Sequence, residues 1–361
     1  MMLRPAALER IAARAEAVGL LRLGAVRLDH PGFAPARAAL ERFVEAGFEG
    51  EMAFLSRTID VRKDPSLMLE GARTALVAAV PYRGEAGSGV ARYARTADYH
   101  TVIHDRLEAV VEALQAELPE AAALICVDTK PLLERTAAAL AGLGFVGKHG
   151  CVIAPGLGSY VLLGSILTDA TWTGDDAVTD LRKARWDACG ACTRCLDACP
   201  TQAFEGPGVL DPRRCISYLT IEHRGPIDDE LADHMGGWVA GCDVCQEVCP
   251  YNASAAREAR VPVPVWLPDV PGGPRDADPV KLAQLGSSPH RAFVRATALR
   301  RIPRRSLRRN ALIALGNREG PLSTEEDAAV AKGEADPDPQ VQGAAARVRR
   351  RRRARTSKKI D

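Results

Sequence analysis

Apolar residues recur at helical spacing over 5–18, 34–46, 101–118 and 131–141. Between these stretches lie three short apolar runs, TALVAAV (Thr74–Val80), AALICV (Ala122–Val127) and YVLLGSIL (Tyr160–Leu167), which predict buried strands. The alternation predicts an α+β (mixed α/β) domain over residues 1–180. The pattern breaks over 181–260, where cysteine, glycine and proline are too dense for long elements. Residues 261–288 contain PVPVWLPDVPGGPRDADP and predict a proline-rich linker. Helical spacing returns from Pro289, with Phe293, Ala296, Leu299, Leu307, Ala311 and Leu315 in phase, and a second unit, DPDPQVQGAAARV, follows. Residues 289–348 therefore predict one or two HEAT-like helical pairs. Two units cannot bury a solenoid core, so they should dock on the body. The end, 349–361, is a run of arginine and lysine and predicts a disordered tail.

A chain of 361 residues, 47% hydrophobic and 26% charged, has room for two or three soluble domains. No apolar run approaches the roughly 18 residues of a membrane span, and Glu9 and Glu16 interrupt the N-terminal helix, so neither a membrane partner nor a secretory signal is expected. A cytoplasmic monomer is the expectation. Ten cysteines in a reducing compartment point to metal binding, since disulfides are disfavoured there. The net charge of +2 conceals an asymmetry: from Arg291 onward there are 19 Lys and Arg against 8 Asp and Glu, and in the rest 29 against 38. A basic end on an acidic body fits a polyanionic partner.

The cysteines carry the most specific signal. Cys189, Cys192, Cys195 and Cys199 form C-x2-C-x2-C-x3-C-P, the bacterial ferredoxin run, whose fourth cysteine serves the other cluster in two-cluster proteins. Cys242, Cys245 and Cys249 form a second run one ligand short, which Cys215 completes. One [4Fe–4S] cluster is then held by Cys189, Cys192, Cys195 and Cys249, the other by Cys199, Cys215, Cys242 and Cys245. Zinc ribbons use two separated pairs of ligands, so this spacing disfavours zinc. Cys126 reads as a core thiol, and Cys151 sits beside the glycine-rich GLGFVGKHG (142–150), where Lys148 and His149 are either surface groups or polar contacts in a pocket.

Clusters move single electrons without naming a substrate. An electron carrier needs no domain of about 180 residues, and that domain has neither a Rossmann G-x-G-x-x-G after a strand nor a Walker loop. A ferredoxin-type electron carrier and an enzyme that uses the electrons itself are the competing readings.

The segments ICVDTKPLLERTAAALAGLGFVGKHGCVI, GSYVLLGSILTD, the two cysteine runs, RCISYLT and RRNALIALGN occur in order. Together they closely resemble the epoxyqueuosine reductase family, from about Met52 to Asn317. The resemblance implies a cobalamin-dependent iron–sulfur enzyme. It would reduce the epoxide of epoxyqueuosine to the alkene of queuosine at the tRNA wobble position, by cob(I)alamin attack with electrons from the clusters, and it is similar to reductive dehalogenases in pairing these cofactors. It makes Asp128 of the VDT motif the proton donor and a cofactor neighbour. Residue chemistry alone reads Asp128 or Thr129 before Pro131 as a helix cap. As an acid near neutral pH, Asp128 would need a raised pKa or a resupplied proton. The family pattern places corrin contacts at Arg62 of DVRKDP, Ala91, Val152, Leu163, Ser217, Cys242 and Asp243. The string Asp98-Tyr99-His100 lacks the glycine of D-x-H-x-x-G, so cobalamin is expected base-off with no protein histidine on cobalt.

The resemblance also makes the partner a tRNA carrying epoxyqueuosine, beside an unidentified electron donor. Arg291, Arg295, Arg300, Arg301, Arg304, Arg305, Arg308 and Arg309 recur at helical spacings and are expected to follow its phosphates. Phe293 is the only aromatic residue among them, so Tyr218 or Trp238 of the body is the expected stacking partner for a flipped base.

Overall fold

The structure is a computed structural model that describes residues 1–82, 84, 89–178, 180–253, 267–268, 274 and 277–357. Its first part is built on a four-stranded sheet in the order Leu21–Arg27, Thr74–Pro81, Val161–Thr168, Ala123–Cys126, every neighbouring pair antiparallel. Thr74–Pro81 is buried along its whole length. Continuous burial requires cover on both faces. On one face lie the helices Pro5–Ala17 and Tyr99–Glu117, with Ile11, Ile103, Leu107, Val110 and Leu114 buried. On the other lies Glu134–Leu140 with its alanine run. Gly164 permits the close approach of the longer helix, because a Cβ there would sit 2.4 Å from Ile103. The strand Leu21–Arg27 escaped the sequence reading: Arg22 and Arg27 break its apolar run.

The second core joins the segment 216–240 to the C-terminal helices. The sequence RRNALIALGN is its clamp. The Arg309 guanidinium, 1% exposed, donates to the carbonyls of Leu219, His223 and Gly225 and to Asn310 Oδ1. Asn310 donates to the carbonyls of Thr220 and Val239, and Asn317 to those of Ala232 and Gly236. Buried acceptors left without a donor cost about 1–3 kcal/mol each. Arg309→Met is therefore expected to destabilise the protein by roughly 3 kcal/mol or more, read as a fall in Tm, without affecting the first-part sheet.

Two expectations change here. Much of the predicted linker, 261–288, lies outside the described residues, but Pro279–Ala283 is a helix capped by Asp278. A second helix, Ser287–Val294, begins two residues before the expected boundary. The tail read as disordered from 349 is helical through Ser357, the end of a helix that starts at Pro339. Neutralisation explains it. Arg347 pairs with Asp233, Arg349 with Asp327 and Glu334, and Arg350 with Asp229. The repulsion expected of the run is thus relieved by carboxylates distant in sequence. Among the described residues no helix is long and apolar enough to cross a membrane.

Candidate active site and cluster sites

The strand Ala123–Cys126 delivers the chain to Asp128, whose φ of 50° lies in the left-handed region, a costly backbone for a residue other than glycine. The helix that follows starts only at Glu134 and has no side-chain cap, so neither Asp128 nor Thr129 caps it. Asp128 instead faces the start of the helix Tyr99–Glu117. Its Oδ2 accepts from Tyr99 Oη at 2.8 Å and lies 3.2 Å from His100 Nε2. His100 Nδ1 is 2.7 Å from Asp98 Oδ1, and Asp98 caps the helix. The imidazole is thus held between two carboxylates.

Partial burial opposes charge on His100, but the hydrogen bonds and charges of Asp128 and Asp98 prevail and raise its pKa to about 9. Burial pushes the Asp128 carboxyl up. The hydrogen bonds from His100 and Tyr99, with the charges of His100 and Arg301, outweigh this and hold it below its ordinary value. The proton of the pair therefore rests on His100 at neutral pH. Asp128 remains reachable, its side chain 48% exposed to solvent within this ring of groups. Glu134 closes the site from behind: its carboxylate accepts from the Asp128 backbone N–H at 3.1 Å. Burial and the Asp128 charge raise its pKa to about 8. Arg62, which bonds the Leu132 carbonyl at 3.4 Å, adds its charge to Glu134 and Asp128.

The eight cysteines fall into two sets. Cys189, Cys192, Cys195 and Cys249 line one cavity of about 280 Å³ with His149, Ile153 and Tyr251. In the other set, Cys199 and Cys215 lie close enough to act on Cys242, and Cys242 and Cys215 on Cys245, while burial raises Cys242 to about 12. Four neighbouring thiols cannot ionise together unless a cation neutralises them, so both donor sets fit a metal cluster. Lys148 is no surface group: its ammonium donates to the carbonyls of Gly190 and Cys192 at 2.7 and 2.9 Å and fixes the loop that carries the first set. His149 is 5% exposed. Cys126 is buried in the core as expected, and the charge of Cys151 is felt by Cys245.

The residues expected around a corrin lie in three places. Arg62 is beside Asp128. Val152 and Leu163 share one apolar cluster, Val152 buried and Leu163 partly exposed. Ala91 and Asp243 are tied together across the boundary with the cysteine segment. Asp243 Oδ2 accepts from the Arg92 backbone N–H at 2.8 Å, and Val90 bridges to Ala240. Ser217 follows Cys215 on the helix Ile216–Ile221 and is partly exposed. Asp243 is 1% exposed, and its Oδ1 has no partner among the described residues. A buried acceptor without a donor is costly, so the site has capacity for an amide N–H, and the periphery of cobalamin is rich in amides. Burial pushes the Asp243 carboxyl up to about 6.

The arginine row divides. Arg291, Arg295, Arg300, Arg301 and Arg305 are exposed, and Arg304 is half-buried with a bond to the Leu285 carbonyl. Arg308 and Arg309 are buried, Arg308 against Asp336 and the Ala283 carbonyl, so neither faces outward as expected. Asp98 feels the charge of Arg300, and Asp128 that of Arg301, which also pairs with Glu222 and lies 5.7 Å from the ring of Phe54. The basic face thus borders the Asp128 site. Tyr218 and Trp238 are buried, 7% and 9% exposed, and Tyr218 Oη accepts from the Glu51 N–H. They are core, and the exposed aromatic here is Phe54, 36% exposed. Sequence reading missed Tyr99, His100 and Glu134 as partners of Asp128. The first two stood in view as a broken cobalt motif, and nothing local marks a contact across 28 residues.

Comparison with known proteins gives the family. Residues 188–252 match the 4Fe-4S double cluster binding domain, and residues 62–129 match the family described as Epoxyqueuosine reductase QueG, DUF1730. An epoxyqueuosine reductase of Gloeobacter violaceus is 37% identical over 316 residues, which span 85% of this chain and 95% of that one. A crystal structure of epoxyqueuosine reductase with an epoxyqueuosine-modified tRNA-Tyr stem loop has a TM-score of 0.75 at 26% identity, covering 94% of this chain and 89% of that one. The Bacillus subtilis enzyme, solved with its catalytic aspartate loop swung out of the active site, has a TM-score of 0.73 at 26% identity, covering 94% and 90%. With its double-cluster domain and its redox family match, this chain is an oxidoreductase that belongs to the epoxyqueuosine reductase family.

Proposed function

We propose that this chain reduces epoxyqueuosine to queuosine within tRNA, and that Asp128, recharged by His100, delivers the proton. The observation that carries this reading is the Asp98–His100–Asp128 array beside the exposed arginines. The net reaction takes up two electrons and two protons, breaks both C–O bonds of the epoxide, forms the C=C bond and releases water. Cobalamin, when bound, supplies a nucleophilic low-valent cobalt for the epoxide carbon. Arg62, Ala91, Val152, Leu163, Ser217, Cys242 and Asp243 would hold it, and the two cysteine sets would hold the [4Fe–4S] clusters that provide electrons one at a time.

Opening the epoxide places negative charge on its oxygen, which needs a proton. Asp128 is open to solvent and carries the reach for that step; His100 carries the proton. The proton passes from His100 Nε2 to Asp128 Oδ2, two atoms 3.2 Å apart. Tyr99, its ring stacked on that of His100, donates to the same oxygen and holds it in place. The aspartate loop of the Bacillus subtilis relative supports a mobile role for this segment. The positive φ of Asp128 fits a loop held in one conformation by partners that can be exchanged.

The substrate is an RNA, and the exposed face of Arg291, Arg295, Arg300 and Arg305 suits its phosphates. Replacing Arg291, Arg295 and Arg305 by glutamate is expected to weaken stem–loop binding at least tenfold and to flatten the salt dependence of Kd by about 2–3 units of slope. Replacement of Arg349 and Arg350, which are paired internally, is expected to leave that slope unchanged. The whole reading is tested in cells. Expressed in a bacterial strain whose tRNA accumulates epoxyqueuosine, the chain should convert that nucleoside to queuosine by mass spectrometry. Unchanged epoxyqueuosine in the presence of folded, cluster-loaded protein contradicts it.

A further inference from the structure

His149 is 5% exposed and lines the cavity formed by Cys189, Cys192, Cys195 and Cys249. Its Nδ1 accepts from the Cys151 backbone N–H at 3.1 Å. A neutral imidazole that accepts at Nδ1 carries its hydrogen at Nε2. That Nε2–H is buried and has no acceptor among the described residues. The ring is held by that bond and packs beside Gly147 and Ile153: a Cβ added to Gly147 would lie 3.2 Å from His149 Cε1 and 2.6 Å from Ile153 Cδ1. A donor buried without an acceptor costs about 1–3 kcal/mol. An acceptor inside the cavity removes that cost, and the sulfur atoms of a cluster bound by the four cysteines are what the cavity would present.

We infer that His149 donates a hydrogen bond from Nε2 to a sulfur of the cluster held by Cys189, Cys192, Cys195 and Cys249, and so sets the reduction potential of that cluster above that of a cluster lacking it. The inference rests on the ligand reading of those four cysteines. A reduced cluster carries one more negative charge than the oxidised one, so a donor to its sulfur stabilises the reduced form more. Lys148, which holds the same loop through two carbonyls, fixes the shape of the cavity but aims its charge at backbone oxygen. Adjacent residues therefore divide the work: Lys148 positions the ligand loop and His149 tunes what it holds. His149 is thus a positioning and tuning residue and takes no part in the proton step at Asp128.

The test uses the full chain, reconstituted anaerobically, with iron counted first. In His149→Leu, an EPR-monitored redox titration should show one cluster harder to reduce, its electron-exchange equilibrium with the other shifted about tenfold, which is 59 mV for one electron. The second cluster should be unmoved, and His149→Gln, which keeps a donor, should recover part of the shift. Two unchanged potentials in a fully loaded His149→Leu protein overturn the inference. Should that variant lose iron, the wild-type protein decides. With ring-15N histidine, pulsed EPR of the reduced protein should show a 15N coupling to one cluster, and its absence overturns the inference. Wild-type iron that falls short of two clusters would instead strike down the ligand reading, and the inference with it.

Discussion

Asp128→Asn should lower turnover of the modified tRNA by roughly 10²–10⁴-fold, with iron content and stem–loop affinity unchanged. The amide keeps an acceptor for Tyr99 Oη, so the loop geometry survives, but it relays no proton. The variant also removes the charge that does most to hold the proton on His100, whose pKa should fall from about 9 toward its ordinary value. The wild-type pH profile follows from the same pair. His100 is protonated below about 9, so the array has a proton to give there, and the rate should decline as pH rises through about 9. His100→Gln should remove that alkaline decline and slow the reaction across the neutral range. An Asp128→Asn enzyme of wild-type rate would return Asp128 to a structural role, although the uncapped helix at Glu134 already denies it the capping one.

Removing a single cluster ligand should have the other large effect. Cys242→Ala leaves Cys199, Cys215 and Cys245 as an incomplete set beside the buried Asp243. The expected result is a protein with about four of the eight irons implied by its cysteine pattern, and no detectable turnover, since the electron path to the substrate is broken. Cys192→Ala should lose the other four irons and be equally inactive. The two variants should differ in EPR, each keeping the signal that the other loses. Cys126→Ala, which removes a core thiol outside both sets, should retain all the iron. Loss of all iron in each single variant would show instead that the two sets form only together.

Local chemistry made much of this legible. The cysteine spacing divided eight candidate ligands into two groups, and the structure gathers Cys189, Cys192, Cys195 and the distant Cys249 around one cavity. The strands Thr74–Pro81 and Val161–Thr168 were legible as largely apolar runs, and the edge strand Leu21–Arg27 was not, because Arg22 and Arg27 shorten its run. Composition could not separate the arginines. Arg308 and Arg309 look like Arg304 and Arg305 in sequence, and only the packing of their helix against Asp336 and the carbonyls near 219–225 takes them inside. The basic tail misled for the same reason, since its counter-charges lie outside the run, Glu334 and Asp327 at 15 and 22 residues back from Arg349, and Asp229 at 121 residues from Arg350. The proton array was hidden most deeply. Asp98, Tyr99 and His100 share one helix start, Asp128 follows a strand, and the sheet that brings them together is long-range by nature.

The decisive measurement is conversion of an epoxyqueuosine-bearing tRNA stem loop by the anaerobic, cluster-reconstituted chain under a low-potential reductant, with and without added cobalamin. Queuosine is expected by mass spectrometry only when cobalamin is present, and none from Asp128→Asn in the same mixture. An epoxide left intact by wild-type protein carrying both clusters and cobalamin would contradict the proposed function.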